Sequence, residues 1–286
     1  MEKHTGVSVI QTTSTNIDKL HKDKKLHVKS LKVKKKLYPN QCLVLKAGDT
    51  QSALVRIAPD NTTLYRIQTP TKLYGIESRN KEQAMLLSQL ADPRISLSIV
   101  TGIAGSGKTI CAMAVALHQI MEENIYKRLI LTKPMDVVGK IGLGAMPGDV
   151  KEKFDPYTIN FKCNMEELVG SNGHIYIEGM ESKGVIKYIP LQLMRGASFK
   201  NSLIIADEVQ VLDQHEMKTI CTRIGEGSKL ILMGDLTQRD RNIEVKDTGL
   251  YKLTQHEKIL DSPLCSSIEL LKCERSEIAQ LMTEVL

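Results

Sequence analysis

Apolar and polar positions divide the chain into three stretches. Residues 1–37 hold few apolar side chains and no sustained period, which reads as a basic, flexible tail. Between residues 38 and 74, short alternating runs at 42–45, 53–57 and 63–67 are separated by turn signals at Gly48-Asp49 and Pro59-Asp60-Asn61. They predict a small β subdomain, too small to hold its own core, that packs on the C-terminal remainder of the chain. From 75 to 286 the pattern changes. A short amphipathic helix is predicted at 82–90, a longer helix at 110–122 and another at 214–223. Continuous apolar runs at 95–100, 129–132, 202–206 and 229–233 read as buried strands between them. Apolar strands alternating with helices predict an α/β domain on a mostly parallel sheet covered on both faces. Such sheets bind ligands beyond the carboxyl ends of their strands.

The first of those strand ends is rich in glycine. Gly102, Ile103, Ala104, Gly105, Ser106, Gly107, Lys108 and Thr109 follow the run at 95–100 and open the helix at 110–122, the context a phosphate-binding loop requires. Backbone N–H groups in such a turn converge on phosphate oxygens, and the helix adds its own unpaired N–H groups and the positive end of its dipole. Gly102 and Gly107 let the backbone come close. Lys108 can reach the β- and γ-phosphates, and the Thr109 hydroxyl suits the shell of a Mg²⁺ ion. A nucleoside triphosphate is the expected ligand.

Two further strand ends carry matching chemistry. The run at 203–206 stops at Asp207 and Glu208; in a nucleotide hydrolase the first acid holds the metal's water shell and the second polarises the attacking water. The next strand leads into Gly-Asp-Leu-Thr-Gln at 234–238, where the Gln238 amide can bond both γ-phosphate and attacking water and so sense the phosphate.

Charge alters the picture in one place. Nine lysines and one aspartate between residues 19 and 36 give a local +8 against a whole-chain +6, so the rest of the chain is about −2. A lysine run of this kind can follow a polyphosphate backbone through counterion release, or be simply solvated. No 18-residue apolar stretch exists and the first residues lack an apolar signal core, so neither a membrane span nor export is expected. The six cysteines, without Cys-x-x-Cys pairs, read as reduced thiols in a cytoplasm.

In order along the chain stand the glycine loop, Leu-Thr-Lys-Pro (131–134), Met-Pro-Gly-Asp-Val-Lys-Glu-Lys-Phe-Asp-Pro-Tyr (146–157), Pro-Leu-Gln-Leu-Met-Arg-Gly (190–196), Asp-Glu-Val-Gln (207–210), Thr-Arg-Ile-Gly-Glu-Gly-Ser-Lys (222–229) and Gly-Asp-Leu-Thr-Gln. This series resembles the PhoH-like ATPases, whose domain would cover residues 75–286. The family is similar to the first motor domain of superfamily-1 helicases, which implies a RecA-like P-loop NTPase fold. The resemblance also implies that Gln83 reads adenine, making ATP the nucleotide, and that Thr132 and Lys133 contact a nucleic-acid backbone. Longer family members carry a PIN-type ribonuclease domain; this chain has no room for one, so nuclease activity is not expected. Two departures stand out: Asp-Glu-Val-Gln-Val where the family usually has Asp-Glu-Ala-Gln-Asn, and Ala197-Ser198 where many members have Arg-Thr.

A superfamily-1 helicase has a second motor domain that donates an arginine to the transition state. With one such domain, a neighbouring subunit is expected to supply it, in a homo-oligomeric and by resemblance hexameric ring, with Arg223, Arg195 and Arg275 as candidates. The function expected is ATP hydrolysis coupled to binding, translocation on or unwinding of single-stranded nucleic acid, RNA rather than DNA. Aromatic residues at 4% with no tryptophan leave few stacking platforms for it. The alternative is a nucleotide-dependent switch or assembly factor acting on a protein partner.

Overall fold

The computed structural model of the chain describes residues 4–69, 71–135, 150–170, 173–194, 196–238, 244–274, 278 and 285. The N-terminal module holds β1 (Val7–Gln11), α1 (Ser14–Asp23), β2 (Lys25–His27), β3 (Cys42–Ala47), β4 (Gln51–Ile57) and β5 (Thr63–Arg66). Its strands form one sheet in the order β1-β3-β4-β5-β2, antiparallel except for the β1–β3 pair. The three strands predicted between 38 and 74 are present. The flexible tail is not: residues 7–27 supply two of the five strands and the helix that covers them.

The physical reason is a very thin apolar stripe. Ile17 and Leu20, three apart on one face of α1, are buried with Leu26 of β2 against Leu43, Leu45, Val55, Ile57 and Leu64. Each such side chain contributes roughly 1.5–3 kcal/mol on burial. Thr13 caps α1 by accepting from the Asn16 N–H at 3.3 Å, and Lys24 ends it in the left-handed region. The lysines are the solvent side of these elements.

The opposite face of this sheet joins the main core. Cys42 and Val44 pack there with α2 (Lys81–Leu90), which comes after a short hairpin of β6 (Lys72–Leu73) and β7 (Ile76–Glu77). Buried polar contacts complete the joint. Arg56 pairs with Asp92 at 2.8 Å, and the Asn40 amide donates to the carbonyls of Pro263 and Cys265. The buried Lys229 side chain donates to the carbonyls of Leu90, the last residue of α2, and Asp92 just beyond it.

The second sheet is built from β8 (Leu97–Gly102), α3 (Lys108–Leu117), β9 (Arg128–Thr132), α4 (Val150–Val169), α5 (Gly173–Ser182), β10 (Ile186–Tyr188), β11 (Ser202–Ala206), α6 (Gln214–Cys221), β12 (Lys229–Gly234), α7 (Gly249–Gln255), α8 (Glu257–Leu260) and β13 (Cys265–Leu270). Six parallel strands run in the order β10-β9-β11-β12-β8-β13. The continuous apolar runs have their explanation here, because Leu203, Ile205, Ile231 and Met233 face the α2–α5 side. Ile204, Ala206, Leu230 and Leu232 face α6 and α7. The helix predicted at 110–122 continues from α3 as a π-turn over His118–Glu122. No helix among the described residues is long and apolar enough to cross a membrane, and the six cysteines form no disulfide.

Candidate active site

The carboxyl ends of β8, β11 and β12 converge on a cleft of about 670 Å³, within the range of small-ligand sites. Strand order brings them together: β12 lies between β8, which carries the glycine loop, and β11, which carries the acids. The loop is held from two sides. Glu274, beyond β13, donates its N–H to the Gly105 carbonyl at 2.9 Å, and its carboxylate accepts from Asn80 Nδ2 at 2.7 Å, which holds it ionised below the usual range. From the other side Gln83 Nε2 donates to the Ser106 carbonyl at 3.0 Å, while Gln83 Oε1 accepts from the Arg79 N–H at 2.8 Å.

Glycine is required at both ends of this loop. At Gly107, with φ +87°, a Cβ would stand 2.6 Å from Gln83 Nε2; at Gly102, with φ +153°, it would meet the Leu270 carbonyl. The space these residues leave open is the concave backbone that a phosphate chain fits. Lys108 Nζ lies across the mouth, donating to the carbonyls of Gly102 at 2.8 Å and Ile103 at 2.9 Å.

Thr109 and the acids meet directly. The Thr109 hydroxyl donates to Asp207 Oδ2 at 3.1 Å, and the Glu208 N–H donates to Asp207 Oδ1 at 3.0 Å. Burial, with the Glu208 charge beside it, pushes the Asp207 carboxyl up to about 6. A buried carboxylate and a hydroxyl side by side, facing a phosphate cradle, are the donor set a hydrated Mg²⁺ takes. Glu208 sits in the left-handed region at φ +57°, a strained turn for a residue with a side chain, and lines the cleft. Its Oε2 accepts from Gln210 Nε2 at 2.7 Å, and Gln210 Oε1 accepts from the Asp235 N–H at 3.2 Å. One amide thus ties the end of β11 to the end of β12. Gln238, whose N–H donates to the Asp235 carbonyl at 3.2 Å, is exposed on the same cleft.

The structure therefore gathers Gln83, the glycine loop, Lys108, Thr109, Asp207, Glu208 and Gln238 around one space. The other expected site residues fare differently. Thr132 is fully buried at the end of β9, its carbonyl accepting from the Asp207 N–H at 3.0 Å, so its side chain offers no surface to a polynucleotide. Lys133, next along, is half-buried and close enough to oppose the upward shift of Asp207. Arg223 is away from the cleft, past the end of α6, where it donates to the carbonyls of Thr219 and Ala197. Within one chain it is a structural side chain. Arg195 and Arg275 lie outside the described residues. Sequence reasoning missed Arg79, Asn80, Gln210 and Glu274. Only Gln210 carried a signal, its fixed place two residues after Glu208.

Fold and loop together define a P-loop NTPase with a RecA-like core. Residues 75–286 match the family described as PhoH-like protein, and the chain belongs to that family. It is similar to Protein PhoH2 of Bacillus subtilis (strain 168), 36% identical over 254 residues that span 87% of this chain and 57% of the relative. It is also similar to Protein PhoH2 of Mycolicibacterium smegmatis, 28% identical over 99% of this chain and 62% of the relative. The chain thus spans little more than half the length of these relatives. Among solved structures it is similar to the Pif1 helicase from Candida albicans, with 15% identity and a TM-score of 0.37 over 73% of this chain and 43% of that one. A second is the Sulfolobus solfataricus SWI2/SNF2 ATPase core in complex with dsDNA, with 13% identity and a TM-score of 0.39 over 70% and 40%.

Proposed function

We propose that the protein hydrolyses ATP with Mg²⁺ and couples hydrolysis to binding, translocation on or unwinding of single-stranded nucleic acid, RNA in preference to DNA, in the cytoplasm. The observation that carries this reading is the contact of Thr109 with Asp207 at the mouth of the glycine loop, with Glu208 adjoining. The loop N–H groups and Lys108 bind and orient the β- and γ-phosphates. Mg²⁺, held through Thr109 and Asp207, supplies positive charge to the phosphate oxygens. Glu208 takes a proton from a water whose oxygen bonds to the γ-phosphorus while the bond to the β–γ bridging oxygen breaks, giving ADP and inorganic phosphate. Gln238 orients that water. Gln83 has one amide hydrogen and one lone pair beyond its contacts with Ser106 and Arg79, and these meet adenine. Lys133 is the phosphate contact for the polynucleotide at the strand ends.

In this reading transition-state charge is met by an arginine of a neighbouring copy in a hexameric ring, because Arg223 lies away from the cleft of its own chain. Steady-state ATPase rates, with and without oligouridylate or oligothymidylate at two salt concentrations, test the coupling. Stimulation that fades with salt is expected; a rate indifferent to both polynucleotides would favour a nucleotide switch acting on a protein partner.

A further inference from the structure

The lysine run is part of a folded module, and that gives it a shape. Lys19 and Lys22 lie on α1, Lys24 and Lys25 at the turn into β2, and Lys29 and Lys32 just beyond it. All six are exposed and none joins an ion pair among the described residues. Lys36, at the far end, is the contrast, bridged to Glu257 and Asp261 at 2.8 Å each. The remaining charges flank one edge of the sheet: Lys19 and Lys22 lie on α1, over the face that buries Leu26 and Leu64, and Lys25 of the edge strand β2 projects to the opposite face.

An aromatic ring stands at the same edge. Tyr65 of β5 is 43% exposed and sits directly opposite Lys25 across the antiparallel β2–β5 ladder, so the two side chains share a face. In a chain with so few aromatic residues, a large ring left in solvent beside a lysine is a specific feature. Cationic side chains tracking a backbone, with an aromatic face for an unpaired base, are the two components of single-strand recognition.

We propose that this lysine face and Tyr65 form a second polynucleotide-binding surface, distinct from the strand-end contact at Lys133. It would take the phosphate backbone of a single strand along the lysines and stack one unpaired base on Tyr65. The proposal rests on the reading that a polynucleotide is the partner. An anionic membrane fits the face less well. Membrane-surface helices insert an apolar side, whereas Ile17, Leu20, Leu26 and Leu31 are all buried and no exposed position from 18 to 36 is apolar.

The test uses the full chain and fluorescein-labelled oligouridylate and oligothymidylate, tracked by anisotropy at several salt concentrations. The combined variant Lys19→Gln, Lys22→Gln and Lys25→Gln is expected to weaken binding of both by roughly tenfold or more and to flatten the log–log salt slope by about 2, at roughly 0.7 per single-strand phosphate contact. ATPase activity without polynucleotide is expected to hold. Tyr65→Ala is expected to cost roughly five- to a hundredfold in affinity and Tyr65→Phe almost nothing, a readout independent of charge. Wild-type binding that is matched by both sets of variants, with the same slope, overturns this surface while leaving a polynucleotide partner standing. Wild-type protein that binds neither oligomer at any salt removes the functional reading itself. Variants that keep oligomer binding but lose binding to phosphatidylserine vesicles assign the face to a membrane and overturn the proposal.

Discussion

Asp207 is held where burial opposes its charge. Its folded carboxyl titrates near 6 and the unfolded one near 3.8, so between about pH 4 and pH 6 the folded, metal-free protein binds more protons. Stability from this group is therefore highest below pH 4, falls as pH rises through 6, and stays at its lower value above. Asp207→Asn is expected to remove that part of the pH dependence and stabilise the metal-free protein at pH 7 by on the order of 2–3 kcal/mol. Thermal melting of both proteins across this range checks it; parallel profiles would contradict it. On the proposed mechanism the neighbouring Gln210 acts through Glu208, as a positioning residue. Gln210→Ala takes away the 2.7 Å donor to Glu208 and is expected to lower kcat by about tenfold with ATP affinity unchanged. Equal changes in kcat and ATP affinity would assign Gln210 to nucleotide binding instead.

At the level of elements, the joint between the N-terminal module and the P-loop core rests on α2. Arg56→Met leaves buried Asp92 with Arg94 alone and strips Asn40 Oδ1 of its 3.3 Å donor, and is expected to cost about 3 kcal/mol in urea unfolding. A loss below about 0.5 kcal/mol would show that apolar packing alone holds the joint. The same elements show what a sequence makes legible. Strands β8, β9, β11 and β12 are apolar on both faces and bounded by turns, so their patterns are continuous and unmistakable. Helix α1 and strand β2 bury only three side chains between them, fewer than a periodicity needs, and the lysines dominate the composition. Strand β13 reads Cys-Ser-Ser-Ile-Glu-Leu, and its serines are buried because β8 lies along one edge and Thr5-Gly6 against the other. Helix α4 carries Pro156, an interior proline that hides its period. In the site, residues within fixed motifs were legible. Asn80 and Glu274 were not, because these two residues, 194 apart in sequence, meet over the loop only once β13 has paired with β8.

The whole molecule is layered: α1, the N-terminal sheet, the α2–α5 layer, the parallel sheet, then α6 and α7. Its cleft brings together the glycine loop, the Asp207–Glu208 pair and the Gln238 side chain, while Arg223 lies elsewhere. If a neighbouring copy completes the site, the specific ATPase rate is expected to rise with protein concentration as light scattering reports assembly. A monomer with a full, concentration-independent rate would show that one chain suffices. The central claim, that the glycine loop binds ATP and Glu208 drives its cleavage by water, has a more direct test in Glu208→Gln. With Mg²⁺ present, this variant is expected to bind ATP within about threefold of wild type while releasing inorganic phosphate roughly a hundredfold more slowly or worse. Unimpaired phosphate release, or a loss of ATP binding as deep as that of Lys108→Ala, would contradict it.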